Sequence, residues 1–574
     1  MVFIKKKMIN FSIMILFCFV ITLVFCYPYL NDAIFIGPDT AFHINRIEAL
    51  SIAIQNGDYY PRLFFHQNYN FGYGSPMFYS FFFLYFPAFM RIMGIGVYDT
   101  YHIFLFVCAF LAAIAMYKCA ELVLNKKNKI YIWFTVLFYI WNCFYMSDFY
   151  KRGAVGETLA FIFIPLVIMG MYYSVYGSFK KQYILVIGFC GLLLSHNISF
   201  IIMVVAYGIY LLLHIKILLK NRKRIIWISF ITITCVLLTA FFTFPMLEQL
   251  AGGSYRISDY FGTTSLSDSA MNFWDIFDFR TDDSKYLCDS LGPFLLFVPL
   301  FYIFTRNKNK LITFSIIIGY LMVIMTTKLF PWEHLKFLSF LQFPTRLLVP
   351  AASFLALGAG YTIAYLPLNK QYKPFFNKVM LILVVIVGVL QLFGYTRTPG
   401  IITRLTQGNE LANDEQFLGS VAWYNLLEVS SPDYLPIKTN VDHRMHGTVV
   451  LTNSEDLITV NSPYVGYNNF TFSIPVVREG TYYVAPLTYY KGYYAEIYKN
   501  EQLIEKVKAS ADPETGLVRI EPSPTQEDDA HVTIHVLYQG TLIQVISGWI
   551  SGISVILYLI FTSIQQLKKT KKIK

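Results

Sequence analysis

Long apolar runs alternate along this chain with short basic clusters, and that alternation sets the first expectations. Apolar runs fall near 8–30, 99–124, 130–147, 157–176, 182–196, 198–219, 225–247, 291–305, 311–330, 347–367, 378–395 and 543–563. Most approach the ~20 residues that an α-helix needs to cross a bilayer. Between them lie "NKKNK" (125–129), "FKKQ" (179–182), "KNRKR" (220–224), "RNKNK" (306–310), "NKQYK" (369–373) and "KKTKKIK" (568–574). Short loops rich in Lys and Arg stay on the cytoplasmic side, and placing every cluster there gives one consistent weave. The weave predicts a polytopic α-helical membrane protein of about 12–13 spans with both termini cytoplasmic. Residues 1–30 read as a retained first helix, because the apolar core is long and no small-residue cleavage site follows it. The run 76–94 does not fit: if it crossed, "NKKNK" would move outside, so a re-entrant or interfacial segment is expected there.

The pattern changes from residue 396. "HGTVVLTN", "NFTFSIPVV", "GTYYVAPLTYY", "YYAEIYKN" and "HVTIHVLYQG" alternate apolar and polar positions between Gly, Pro and Asn breaks. Period two with such breaks predicts an antiparallel β-sandwich. The expected organisation is a transmembrane core over 1–395 with an outer first loop (31–98), an extracytoplasmic β-rich domain over 396–541, and a final helix with a basic tail over 542–574. Trp423, Tyr424, Tyr489, Tyr490, Tyr493 and Tyr494 suit stacking on sugar rings, although most such rings should pack inside the sandwich.

Composition narrows the function classes. The 574 residues are 56% hydrophobic and 14% charged, with a mean hydropathy of +0.50, which a soluble domain could not bury. The net charge of +11 comes from loop clusters and gives no reason to expect a nucleic-acid partner. Of the eight cysteines only Cys288 lies outside the apolar runs, and no CxxC spacing occurs, so neither a disulfide framework nor a zinc site is expected.

Candidate chemistry gathers in the outer segments. "GPDTAFHINRIEAL" (37–50) puts Pro38 and Asp39 at a helix start, and Asp39, His43 and Arg46 at i, i+4 and i+7 share one helical face. Solvation of an interfacial helix is the plainer reading; a carboxylate base beside phosphate-holding groups is the functional one. Asp58, Arg62 and His66 follow in the same loop. "DFYKRGAVGE" brings Lys151, Arg152 and Glu157 to a helix start on the outer side, against the charge rule. "LLLSHNISF" sets His196 and Asn197 between two apolar runs, where polar groups are costly. "PWEHLKFLSFLQFPTR" carries Glu333, His334 and Arg346. In 248–290 the spacing of Glu248, Arg256, Asp259, Asp275, Asp278 and Asp282 selects none of them. Helix interiors are almost free of charge, unlike a transporter with its site at the midplane.

These motifs also carry a resemblance. "GPDTAFHINRIEALSIAIQNGDYYPR" with "NYNFGYGSPMFYSF", "YKRGAVGETLAFIFIPLV", "LLLSHN" and "FPTRLL" resemble the bacterial membrane proteins labelled 6-pyruvoyl-tetrahydropterin-synthase-related. "DYLP" (433–436) and "YYVAPLTYYKGYYAEIYKNEQL" are similar to the outer β-domain of the YfhO family. Both families resemble the C-type (GT-C) glycosyltransferase superfamily, with a polytopic core, an early acid in the first outer loop and a polyprenyl-phosphate-linked sugar as donor. The resemblance implies Asp39 as the base that deprotonates the acceptor hydroxyl. It implies Arg46, Lys151, Arg152 and Arg346 as holders of the donor phosphate, and His43 and Glu157 as residues that shape the pocket. The implied acceptor is an extracytoplasmic envelope glycan or teichoic-acid-type polymer, and the implied reaction an inverting displacement. Asp39 is followed by Thr40, not a second acid, so no cofactor or metal is expected, with a divalent ion left open. A flippase or exporter of lipid-linked sugars and a non-catalytic envelope scaffold are the competing readings.

Overall fold

Helix length and apolarity divide the chain into membrane and non-membrane parts. In the computed structural model the described residues are 2–31, 33–35, 37–124, 129–257, 265–279, 289–396, 402–404, 432–439, 449–453, 457–459, 465–525 and 531–571. Among the described residues, six helices are long and apolar enough to cross a bilayer: Met8–Phe25, Val97–Val123, Val155–Val175, Pro344–Tyr365, Lys373–Gly394 and Leu542–Gln565. Two bent pairs bring the number to eight if each pair is one span. The chain is a multi-pass membrane protein with a separate β-sandwich. Several of the remaining apolar runs form shorter helices, among them Asn197–Leu213 and Lys310–Met325.

Helix packing in the core follows side-chain size. Val97–Val123 buries Ala109, Ala112, Ala113 and Ala120 on the faces that meet its neighbours, and small residues let helix backbones approach closely. One bent pair, Lys129–Ile140 followed by Cys143–Arg152, turns by 47°. Asn142 makes the bend: its Oδ1 caps the new helix by accepting from the Tyr145 N–H at 2.9 Å. The last turn of that helix, Ser147–Arg152, is π-helical and ends at Gly153 with φ 70°. Such bulges are frequent at functional sites, and this one carries Asp148 and Arg152.

The run 76–94 is broken into the short helices Ser75–Phe78, Phe82–Leu84 and Tyr85–Ile92. The first loop around it folds against the β-domain: Leu63, Phe65, Met77 and Phe78 share one apolar core with strand residues such as Phe470, Ile534 and Val536.

Among the described residues, two five-stranded antiparallel sheets form the sandwich. One orders Ser510–Ala511, Leu517–Ile520, Tyr483–Thr488, Val449–Thr452 and Leu457–Thr459; the other orders Val465–Gly466, Asn469–Ile474, Val532–Tyr538, Tyr493–Lys499 and Gln502–Lys508. Phe472 of one sheet meets Tyr483 of the other at 5.7 Å between ring centroids. Val532–Tyr538 shows the alternation that period two demands, burying Val532, Ile534, Val536 and Tyr538. Tyr483–Thr488 is buried on both faces, because Phe71 of the first loop covers Val484 and Leu517 from outside. Tyr490 and Tyr493 are packed inside, Tyr489 and Tyr494 are half-buried, and Trp423, Tyr424 and Cys288 lie outside the described residues.

Candidate active site

Asp39 lies in the turn that leads into the helix Thr40–Gln55 and occupies its N-cap position. The loop is pinned to the π-helical turn by backbone contact. The Asp39 N–H donates to the Arg152 carbonyl at 3.0 Å, and the Gly37 N–H donates to Thr40 Oγ1 at 3.0 Å. A Cβ on Gly37 would collide with the Lys151 carbonyl, and one on Gly153 with Thr40 Oγ1. Gly37→Ala should therefore pry Asp39 away from Arg152. The overpacking should cost about 1–3 kcal/mol of stability, read as a lowered melting midpoint in detergent; an unchanged midpoint would show that the loop can yield.

A cavity of about 350 Å³ opens beside this junction. Asp39, His43, Arg152, Glu157, His196 and Arg346 all line it, although they come from distant parts of the sequence. Arg152 Nε stands 3.3 Å from Asp39 Oδ2, and its Nη1 stands 3.0 Å from Glu157 Oε1 and 3.4 Å from Asp148 Oδ1. Arg346 Nε reaches the same Glu157 oxygen at 3.2 Å, while its Nη1 donates to the Leu341 carbonyl at 3.1 Å. Glu157, 2% exposed, is thus the shared counter-ion of two guanidiniums. Among the described residues, Arg346 Nη2 has no acceptor.

His196 ends one apolar helix and caps the next. Its Nδ1 lies 2.8 Å from Ser199 Oγ and 3.4 Å from the Ser199 backbone nitrogen, and its Nε2 lies 3.8 Å from Glu157 Oε1. His43 is enclosed edge-on by Phe42 and Tyr79, at 5.2 and 5.8 Å between ring centroids. Burial, reinforced by Arg46, His196 and Arg152, holds its pKa well below the ordinary histidine value, so it is neutral. Asp39 keeps 37% of its side-chain surface exposed. As a cavity-lining residue it faces a recess rather than open solvent. Removal from bulk water raises its pKa above the ordinary aspartate value, against the pull of Arg152 and Arg346.

The other sequence candidates lie elsewhere. Arg46 is buried behind the cavity wall, donating from Nη2 to the Tyr79 and Ser80 carbonyls at 2.7 and 2.8 Å, with its guanidinium 4.4 Å from the Tyr79 ring centroid. It positions Tyr79, which does line the cavity. Arg62 donates to the Phe241 and Gln544 carbonyls and braces the first loop against two helices. Lys151 is buried outside the cavity lining, and Glu333 and His334 are exposed on the turn Trp332–His334. Among the described residues, no group of three or more His, Cys, Asp or Glu side chains is arranged to hold a metal ion.

Several residues in or beside the cavity were not singled out from sequence, whereas Asn197 was. Asp148 stands four residues before Arg152 on the same turn, and that spacing was a readable signal. Asn197 has its Oδ1 buried without a partner among the described residues. Asp433 and Tyr434 come from the segment that precedes the sandwich and roof the cavity, with Tyr434 stacked on Phe78 at 5.4 Å. Gln342, a non-glycine residue at φ 64°, turns the chain so that Arg346 points inward; strain of this kind clusters at functional sites.

The cavity has an apolar side. Ile198, Ile201, Met246, Leu250 and Phe340 line it, and Ile201 and Leu250 are also exposed on the outer surface of their helices. One opening therefore faces the surface that the helices Asn197–Leu213 and Ala240–Gly252 turn outward.

No family model matches the chain. A protein of Lactococcus lactis subsp. cremoris (strain MG1363), named only as an uncharacterized protein, is 28% identical over 349 residues, which is 57% of this chain. The match spans 55% of that relative, about half of its length. Among solved structures, the cryo-EM structure of the arabinofuranosyltransferase AftD from Mycobacteria overlaps 67% of this chain and 27% of that one. Its TM-score is 0.44 at 11% identity, a likeness too slight to carry a functional argument.

Proposed function

We propose that this chain is an integral-membrane glycosyltransferase of the C type, moving a sugar from a polyprenyl-phosphate donor to an extracytoplasmic envelope glycan or teichoic-acid-type acceptor. The observation that carries the reading is the convergence of Asp39, Arg152, Glu157, His196 and Arg346 in one cavity with an apolar opening. A charged floor and a greasy side suit a substrate that is itself part phosphate sugar and part lipid.

In this reading the acceptor oxygen attacks the anomeric carbon and the bond from that carbon to the phosphate oxygen breaks. Asp39 takes the acceptor proton, and the phosphate departs with the bonding electron pair. Arg346, with Nη2 unengaged among the described residues, meets the charge that grows on the phosphate. Glu157 holds both guanidiniums in place, and Arg152 orients Asp39. A raised Asp39 pKa suits this role, since a base works best with a pKa near the operating pH. A flippase is less well supported, because the charged groups gather at helix ends: Glu157 lies in the first turn of Val155–Val175.

The test is sugar transfer by the purified protein from a polyprenyl-phosphate sugar, followed against pH. Asp39 must be deprotonated to act, so activity should fall on the acid side at a pH above the ordinary aspartate range. Arg152 lowers the Asp39 pKa, so Arg152→Gln should move that acid limb to still higher pH. An acid limb that stays in place would remove Asp39 from the role of base.

A further inference from the structure

A second pocket, of about 580 Å³, lies far from the first, between the turn Phe179–Lys181, the helix Arg222–Leu238 and the last helix. Helix Val155–Val175 gives the separation. Glu157 lies near one end, and Ser178 of the second pocket follows the other. Its 21 residues rise about 30 Å, the thickness of the hydrocarbon core, so the two sites stand at opposite membrane interfaces.

The walls of this pocket are built, not incidental. Phe179 stacks on Trp227 at 5.9 Å, and Phe561 of the last helix closes on Trp227 and Phe230 at 6.1 and 5.4 Å. Arg224 anchors the end of helix Val155–Val175, just before the turn, by donating to the Tyr173, Ser174 and Gly177 carbonyls at 3.0–3.3 Å. Two exposed cations, Lys180 and Lys181, stand at the rim. Gln182, next in the chain, also lines the pocket; it is 3% exposed, and its Oε1 and Nε2 both lack a partner among the described residues. A buried carboxamide with nothing to bond is costly, and a ligand with phosphate oxygens and hydroxyls would satisfy it.

We propose that this pocket binds an anionic phospholipid of the adjoining leaflet. Its phosphate sits against Lys180, Lys181 and the Gln182 amide, and an acyl chain lies along the aromatic wall. Basic pockets between membrane helices recognise lipid headgroups in this way. The assignment is independent of the sugar-transfer reading.

The full chain in nanodiscs tests it, with phosphatidylglycerol or phosphatidylcholine brominated in the acyl chains as quenchers. The Trp227 signal is the difference between the native protein and Trp227→Phe. Phosphatidylglycerol should quench it at about one-tenth the mole fraction needed for phosphatidylcholine, and the Lys180→Gln/Lys181→Gln double variant should abolish that preference. Gln182→Leu, with both lysines present, should weaken it. Phosphatidylglycerol retained through detergent washing, measured by mass spectrometry, gives the same comparison should Trp227→Phe fold poorly. Equal quenching by the two lipids, a double variant that keeps the preference, or displacement of phosphatidylglycerol by a short polyprenyl phosphate would each overturn the assignment.

Discussion

Asp39→Asn is expected to lower sugar transfer by about 10²–10⁴-fold, the usual contribution of a positioned general base. The substitution preserves shape, removes the carboxylate that accepts the proton, and weakens only a partly exposed ion pair with Arg152 Nε. The loop geometry should survive, because the Asp39 backbone N–H, not its side chain, makes the bond to the Arg152 carbonyl. Membrane insertion and melting midpoint should stay near those of the native protein. A scaffold would be indifferent to the change, so a variant with normal transfer, or an envelope of normal composition in cells carrying it, would favour the scaffold reading.

Glu157→Ala should act on stability as well as activity. Glu157 Oε1 receives Arg152 Nη1 and Arg346 Nε, and the carboxylate is buried. Its removal leaves two guanidiniums inside the protein without their shared counter-ion. Breaking a buried pair in this way costs about 3–5 kcal/mol, whereas an exposed pair is worth at most about 1 kcal/mol. A large fall in the melting midpoint is therefore expected, together with loss of transfer as the cations separate. Glu157→Gln keeps the size and one acceptor oxygen and should fall between the two. A midpoint shift as small as that of a surface pair would mean that the guanidiniums find water or another partner, and that Glu157 does not organise the site.

Much of this site was readable because charge is rare in the chain. With 14% charged residues, each short polar motif between apolar runs stands out. Asp39, Arg152, Glu157, His196 and Arg346 were marked by that contrast, and the fold brings them to one cavity. The contrast carries no direction, however. Arg46, Arg62, Lys151, Glu333 and His334 gave the same signal, yet Arg46 and Arg62 are bonded to backbone carbonyls and Glu333 and His334 face outward. Asp433 and Tyr434 stood out only within the "DYLP" resemblance, and nothing local linked them to the cavity. They arrive from a segment nearly 400 residues after Asp39, held by tertiary contacts such as the Tyr490 Oη bond to the Tyr434 carbonyl at 2.9 Å.

The same limits apply to the fold. Alternation along 532–538 predicts a half-buried strand, and the strand is there. Tyr483–Thr488 shows no alternation because the first loop covers its outer face, which no local pattern can reveal. Runs of apolar residues predict helices, but Asn142 bends one run by 47°, and another bends by 71° between Leu238 and Ala240. The number of crossings therefore cannot be read by counting runs alone.

In the proposed mechanism the cavity grips a lipid-borne phosphate between the guanidiniums while Asp39 addresses the sugar. The most direct measurement is a cryo-EM structure of the full chain with a polyprenyl-phosphate sugar bound. On this reading, phosphate density should lie within hydrogen-bonding distance of Arg346, with the anomeric carbon on the Asp39 side and the lipid leaving past Ile201 and Leu250. Phosphate density outside this cavity, or a sugar lying away from Asp39, would contradict it.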